Sequence, residues 1–162
     1  MTTARLVRPG AMRFDSPEQE VFLSLWRTYE RLRALEDDLF ARFDLTPQQY
    51  NVLRLLRAVH PDTTPTLALA DRLVSRAPDI TRMLDKLEDR GLINRDRPRE
   101  NRRVVRIGIT TAGLALLREI AEPLRECHGR QLGHMAHGDL RKLCALLRSA
   151  RAPHEPDDSP WH

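Results

Sequence analysis

The sequence predicts a mainly α chain that carries one small β-hairpin, and three observations lead there. Apolar residues recur at steps of three and four along several stretches, most of them opened by a hydroxyl residue or a proline. That period gives way to a strand-like pattern only once, between Leu92 and Ile109. Of the 162 residues 41% are apolar and only 5% aromatic, so the core must be built from Leu, Val, Ile and Ala. No run of 18 apolar residues occurs, which argues against a membrane helix. Met1 to Arg13 is basic and lacks the apolar stretch of a secretory signal, so the chain is expected in the cytoplasm.

Residues 1–15 read as a loose basic arm. Ser16-Pro17-Glu18-Gln19 has the form of a capping box with proline at the first helical position. Behind it Phe22, Leu25, Tyr29, Leu32, Leu35 and Leu39 make an amphipathic helix to about Arg42. Thr46-Pro47-Gln48-Gln49 repeats the device, with Leu45 and Tyr50 placed to staple its start, and Val52, Leu53, Leu55 and Leu56 continue to about Val59. His60 to Thr63 is a loop. Thr64-Pro65 is expected to open a short helix through Leu67, Leu69, Ala70 and Leu73, and Ala77-Pro78 another, with Ile80, Leu84 and Leu87 inward and Gly91 after its end.

Leu92 to Arg95 and Val105 to Ile109 then read as two strands around a polar tip, Asp96 to Arg103. Thr110 caps a long helix through Leu114, Leu117, Ile120, Ala121 and Leu124, in which Pro123 is expected to make a bend. Leu140, Leu143, Leu146 and Leu147 mark the last helix. Three prolines and three acids make 152–162 an expected disordered tail. Three short helices followed directly by a hairpin form a winged helix-turn-helix, whose second turn-linked helix enters the DNA major groove.

The placement of charge supports that use. Twenty-seven basic residues stand against 23 acidic ones, and the only lysines are Lys86 and Lys142. Between Arg76 and Arg106 lie ten basic and six acidic residues, so the whole net charge of +4 sits in this stretch. Asp79, Arg82, Lys86 and Asp89 fall opposite the apolar face of the helix in it, with Arg76 just upstream. A solvated charged face would look the same on any one helix, but the hairpin after it adds Arg95, Arg97, Arg99, Arg102, Arg103 and Arg106 within twelve residues. A tip so charged has no core to serve. The guanidinium fork suits phosphate oxygens, and a narrow minor groove attracts arginine, which points to Arg102 or Arg103 there.

At this point the chain resembles the MarR family of bacterial winged-helix regulators. The resemblance lies in Leu45-Thr46-Pro47-Gln48-Gln49-Tyr50-Asn51-Val52-Leu53, in the run from Ile80 through Arg82, Lys86 and Gly91 to Ile93, and in Ile109-Thr110-Thr111-Ala112-Gly113. It implies a domain over 16–151, with the winged helix at about 45–110 and dimerisation helices at about 16–42 and 110–150. It implies a homodimer that binds a pseudo-palindromic operator in double-stranded DNA, commonly as a repressor released by a small ligand or an oxidant. By position Ser75, Arg76, Asp79, Thr81, Arg82 and Lys86 match family positions that meet bases or phosphates, and Arg103 matches the wing-tip arginine. The family usually has Asp two residues before that arginine; here it is Asn101, with Glu100 beside it.

For the dimer, the apolar positions of the first and last helices include Phe22, Leu25, Tyr29, Leu143 and Leu147. Trp26 and Tyr29 are candidates for a cleft that takes small aromatic effectors. Cys127, His128, His134 and His137 have metal-ligating chemistry but no zinc spacing. Cys127 and Cys144 suggest no disulfide framework. No GxGxxG or other nucleotide loop is present, so no cofactor and no enzyme is expected. Two other classes compete: a helical interaction module with an acidic partner, and a thiol or metal enzyme using Cys127 and His128. The first does not require a recognition-helix pattern, and the second does not require an arginine-rich hairpin.

Overall fold

The computed structural model describes residues 13–75, 79–101 and 103–161. The chain divides into two compact units, residues 1–34 and 35–162. Helix α1, Pro17–Ala41, begins in the first and ends in the second.

In the first unit Ser16 Oγ accepts from the Gln19 N–H at 3.2 Å, as a capping box requires. The reciprocal bond goes one residue further back than expected, because Gln19 Oε1 accepts from the N–H of Asp15 at 2.7 Å. Val21, Phe22, Leu25, Trp26 and Tyr29 are exposed, and Phe22 and Trp26 meet edge to face at 6.4 Å.

The second unit holds the core. Helix α2, Pro47–Val59, starts with a complete capping box on Thr46. Strand β1, Thr64–Pro65, leads into α3, Thr66–Asp71, and α4 covers Ile80–Asp89. Strands β2, Ile93–Asp96, and β3, Arg106–Ile109, form the hairpin. Helices α5, Thr111–Leu132, and α6, His137–Arg151, come next. Leu39 and Phe40 at the end of α1 join Leu53, Leu56, Leu69, Leu84, Leu87, Ile93, Ile107, Leu117 and Ile120 in one buried cluster. Each such side chain contributes about 1.5–3 kcal/mol by leaving water.

Two expectations are corrected, and a third falls outside the described residues. Thr64-Pro65 does not open a helix. It pairs antiparallel with β3, Thr64 opposite Ile107, and makes the sheet three-stranded in the order β1-β3-β2. Proline is tolerated there because an edge strand need not donate. Ala77-Pro78, expected to open the next helix, lies outside the described residues; α4 begins at Ile80 behind Asp79, whose carboxylate accepts from the Arg82 N–H at 3.0 Å. Residues 152–161, expected to be disordered, carry ordered contacts: a 3-10 turn spans Ala152–His154, and Arg151 contacts Glu155 and Trp161 beyond it. Its Nη2 donates to the Trp161 carbonyl at 3.0 Å. Its Nε lies 3.4 Å from Glu155 as an ion pair without hydrogen-bond alignment. Pro123 lies inside α5, which continues through it.

The junction from hairpin to α5 explains a stretch of sequence. Thr110 Oγ1 accepts from the Gly113 N–H at 3.1 Å and donates to the Gly91 carbonyl at 2.6 Å. A Cβ on Gly113 would collide with the Leu92 carbonyl oxygen, so only glycine lets the first turn of α5 lie against the chain that enters β2.

Candidate nucleic-acid interface

The candidate interface is built on α4. Leu84 and Leu87 are buried and Ile80 and Met83 pack against the core, which fixes the rotation of the helix. Thr81, Arg82 and Lys86 are consequently exposed. Four residues at about 1.5 Å rise put the Arg82 and Lys86 side chains on one face roughly 6 Å apart. Asp79 was expected at this surface as well, and its carboxylate is engaged in capping α4. Ser75 lies exposed before α4, and its hydroxyl accepts from Gln48 Nε2 at 3.1 Å. Arg76 and Arg102 lie outside the described residues.

The hairpin sorts its arginines into two groups. Arg95 and Arg106, counted among the tip charges from sequence, are turned inward as struts. Arg95 Nε donates to Glu88 at 2.8 Å and its Nη2 to Asp85, tying β2 to the side of α4. Hydrogen bonds to Glu88 and Asp85 raise the Arg95 guanidinium above its usual pKa, because both carboxylates favour its charged form. Arg106 donates from Nε to Thr63 Oγ1 at 2.8 Å and from Nη2 to the Thr63 carbonyl at 2.6 Å. Both sit on strands at the hairpin base, where threonine, carbonyl and carboxylate groups are within reach. Arg97, Arg99 and Arg103 lie beyond the strands and are exposed. Among the described residues no hydrogen bond or ion pair engages the side chains of Arg82, Lys86, Arg97, Arg99 or Arg103.

Asn101 organises the tip. Its N–H donates to the Pro98 carbonyl at 3.1 Å and its carbonyl accepts from Val104 at 3.1 Å. Its Oδ1 accepts from the Arg103 main-chain N–H at 3.2 Å, an Asx-type turn. The side-chain carbonyl of Asn thus holds the backbone at Arg103 and brings no negative charge towards a phosphate.

Two further ties position α4. Arg90, just past its end, donates to the carbonyls of Phe43, at 3.1 Å, and Asp44. Asp44 has φ +52°, so the arginine supports a left-handed turn between α1 and α2. Sequence reading missed the Arg90, Arg95 and Gln48 contacts. The acidic pair one helical turn apart at Asp85 and Glu88, followed by an arginine on the next strand, was the only available signal.

A cavity of about 470 Å³ opens beside this framework, with Asp44, Gln49, Lys86, Asp89 and Arg90 in its wall. Neither Trp26 nor Tyr29 lines it; both are exposed on the first unit. The Cys127 and His128 pair does not converge. The thiol is fully buried, while the His128 ring lies 3.2 Å from Glu36. Among the described residues no three metal-ligating side chains come together, and no helix is long and apolar enough to cross a membrane.

Comparison with known proteins locates a match to the MarR family model at residues 45–105, the segment from just before α2 to the residue before β3. A MarR transcription factor from Planctomyces limnophilus is 56% identical, with 83% of this chain and 98% of that one covered and a TM-score of 0.68. A MarR family transcriptional regulator from Streptomyces coelicolor, solved in complex with DNA, is 18% identical over 94% of this chain and 99% of its own, with a TM-score of 0.79. Bordetella bronchiseptica BpsR, studied for regulation of its DNA binding by 6-hydroxynicotinic acid, is 21% identical over 81% and 98%, with a TM-score of 0.73. The last two likenesses concern the fold.

Proposed function

The chain belongs to the MarR family, and from that premise we propose that it is a homodimeric repressor that binds a pseudo-palindromic operator in double-stranded DNA and lets go when a small ligand binds. It is a DNA-binding transcriptional regulator. One observation carries the reading of the site. The exposed face of α4 and the hairpin tip present Arg82, Lys86, Arg97, Arg99 and Arg103 without partners among the described residues, while neighbouring arginines are spent on internal ties. Unpaired arginines on a helix with a charged wing beside it suit base edges in the major groove and phosphates with the adjacent minor groove. In this reading Arg82 reads a base edge; Lys86, Thr81, Ser75, Arg76, Arg97 and Arg99 hold phosphates; and Arg102 or Arg103 enters the minor groove. Asp79 serves through its cap.

The apolar side chains left outside suit a dimer. Phe22 is 64%, Trp26 58% and Tyr29 60% exposed on the first unit. In the second, α6 buries no residue, and Leu143 and Leu147 are half-buried beside exposed Leu146. Burying these faces against a second copy would remove a wet apolar surface. A regulator of this kind works at the chromosome, hence in the cytoplasm, and by binding rather than by catalysis. The effector fits best as a small aromatic acid, by analogy with the ligand of BpsR, with Trp26 and Tyr29 as stacking partners. Selection of bound DNA from a random-sequence pool tests the proposal. An inverted repeat with half-site centres about 10 base pairs apart is expected. Enrichment of no sequence would overturn it.

A further inference from the structure

We propose that Gln48 is a positioning residue for DNA, whose side-chain amide holds the Ser75 hydroxyl with its proton free for a backbone phosphate. The proposal rests on the reading of Ser75 as a DNA contact and adds to it a residue from a different element.

Gln48 is the second residue of α2, and the capping box fixes its backbone from both sides. The Gln49 N–H donates to Thr46 Oγ1 at 3.1 Å, and the Thr46 N–H donates to Gln49 Oε1 at 2.9 Å. The Gln48 amide therefore projects from a rigid first turn. Its Nε2 reaches Ser75 Oγ at 3.1 Å across 27 residues of sequence. Leu73, buried two residues earlier, anchors the segment that carries Ser75 towards α4.

An amide nitrogen has protons and no accepting lone pair, so in this bond Gln48 donates and Ser75 accepts. The serine then keeps its own proton, and the amide keeps its second N–H. Two neutral donors stand together on an exposed surface beside the recognition helix. A lone serine distributes its hydroxyl proton over several rotor positions. Pinning one of its lone pairs restricts that choice before DNA arrives, which lowers the ordering cost of the contact.

The test is a double-mutant cycle, read by fluorescence anisotropy at several salt concentrations. Its probe is the duplex recovered from the random-sequence pool with the unaltered protein. Ser75→Ala and Gln48→Ala should each weaken binding by about three- to tenfold, the loss of one modest hydrogen bond. The double variant should be no weaker than either single one, because the two act as a unit. The slope of affinity against salt should stay unchanged, since neutral donors release no counterions. Melting temperatures should stay together, which separates positioning from a structural defect. Gln48→Glu should weaken binding further than Gln48→Ala, because a carboxylate takes the hydroxyl proton and adds repulsion.

A Gln48→Ala variant that binds as well as the unaltered protein, beside a weakened Ser75→Ala, keeps the Ser75 contact and overturns the proposal. Losses that add in the double variant also overturn it, because they describe two separate contacts. If Ser75→Ala has no effect, the reading of Ser75 fails and takes this proposal with it. The wider reading of α4 and the hairpin is tested separately by the Arg82 and Arg103 variants.

Discussion

Two arginines of the same stretch have opposite fates, and the difference is local. Arg82 leaves α4 on the side away from the core, with nothing among the described residues to pair with. Arg95 leaves β2 against two carboxylates one helical turn apart. Removing each should therefore read out differently. Arg82→Ala should cost about 1–3 kcal/mol at one symmetric pair of operator positions, and binding to random DNA should fall less. Arg95→Ala should lower folding stability by about 1–2 kcal/mol, since the partners are partly exposed and solvent screens the pair. It should also weaken selected and random duplexes alike, because Asp85 and Glu88 then face the phosphates unneutralised. Titrating both variants against both duplexes, with thermal melts alongside, checks the pair of claims. Gly91 shows the same economy in the backbone. Its φ is +68° and a Cβ there would meet nothing within 4 Å, so Gly91→Ala should cost about 1 kcal/mol from conformation alone in a denaturant melt.

At the scale of elements, caps decide where helices begin. Thr110 joins the hairpin to α5 by two hydrogen bonds, and Thr110→Ala should cost about 1–2 kcal/mol in the same melt. The Thr46 box, the apolar faces of α2 and α4 and the two hairpin strands were legible in the sequence because each has a local signature. Thr64-Pro65 was not. A two-residue strand has no period to read, and the Thr-Pro pair is also a helix-opening signal; only the long-range pairing with β3 decides. The tail is illegible for a related reason. Its composition is that of a disordered segment, yet Arg151 supplies ties to Glu155 and Trp161 that composition cannot register. In the hairpin the arginine count was plain, but which arginines face outward depended on Thr63 and on the acids of α4. Asn101 departs from the family's usual Asp, and its Oδ1 nevertheless holds the Arg103 backbone. Asn101→Ala should loosen the tip and lower DNA affinity severalfold, with the fall seen mainly on duplexes with A·T-rich flanks.

For the whole molecule, the excess positive charge and the uncovered apolar side chains of α1 and α6 belong to different elements and should fail separately. Arg97→Ala and Arg99→Ala should each flatten the log–log salt dependence of binding by about one unit for every phosphate left unneutralised, and leave assembly untouched. Phe22→Glu should instead shift sedimentation towards the monomer at micromolar concentration and lose operator-length binding as a consequence, while the winged unit stays folded. The central claim is that α4 reads the operator through Arg82. It is tested most directly by measuring affinity for every single-base substitution of the selected duplex with the unaltered protein and with Arg82→Ala. Two symmetric maxima of affinity loss about 10 base pairs apart are expected in the first profile, and their disappearance in the second. A profile that Arg82→Ala lowers uniformly without changing its shape would contradict the claim.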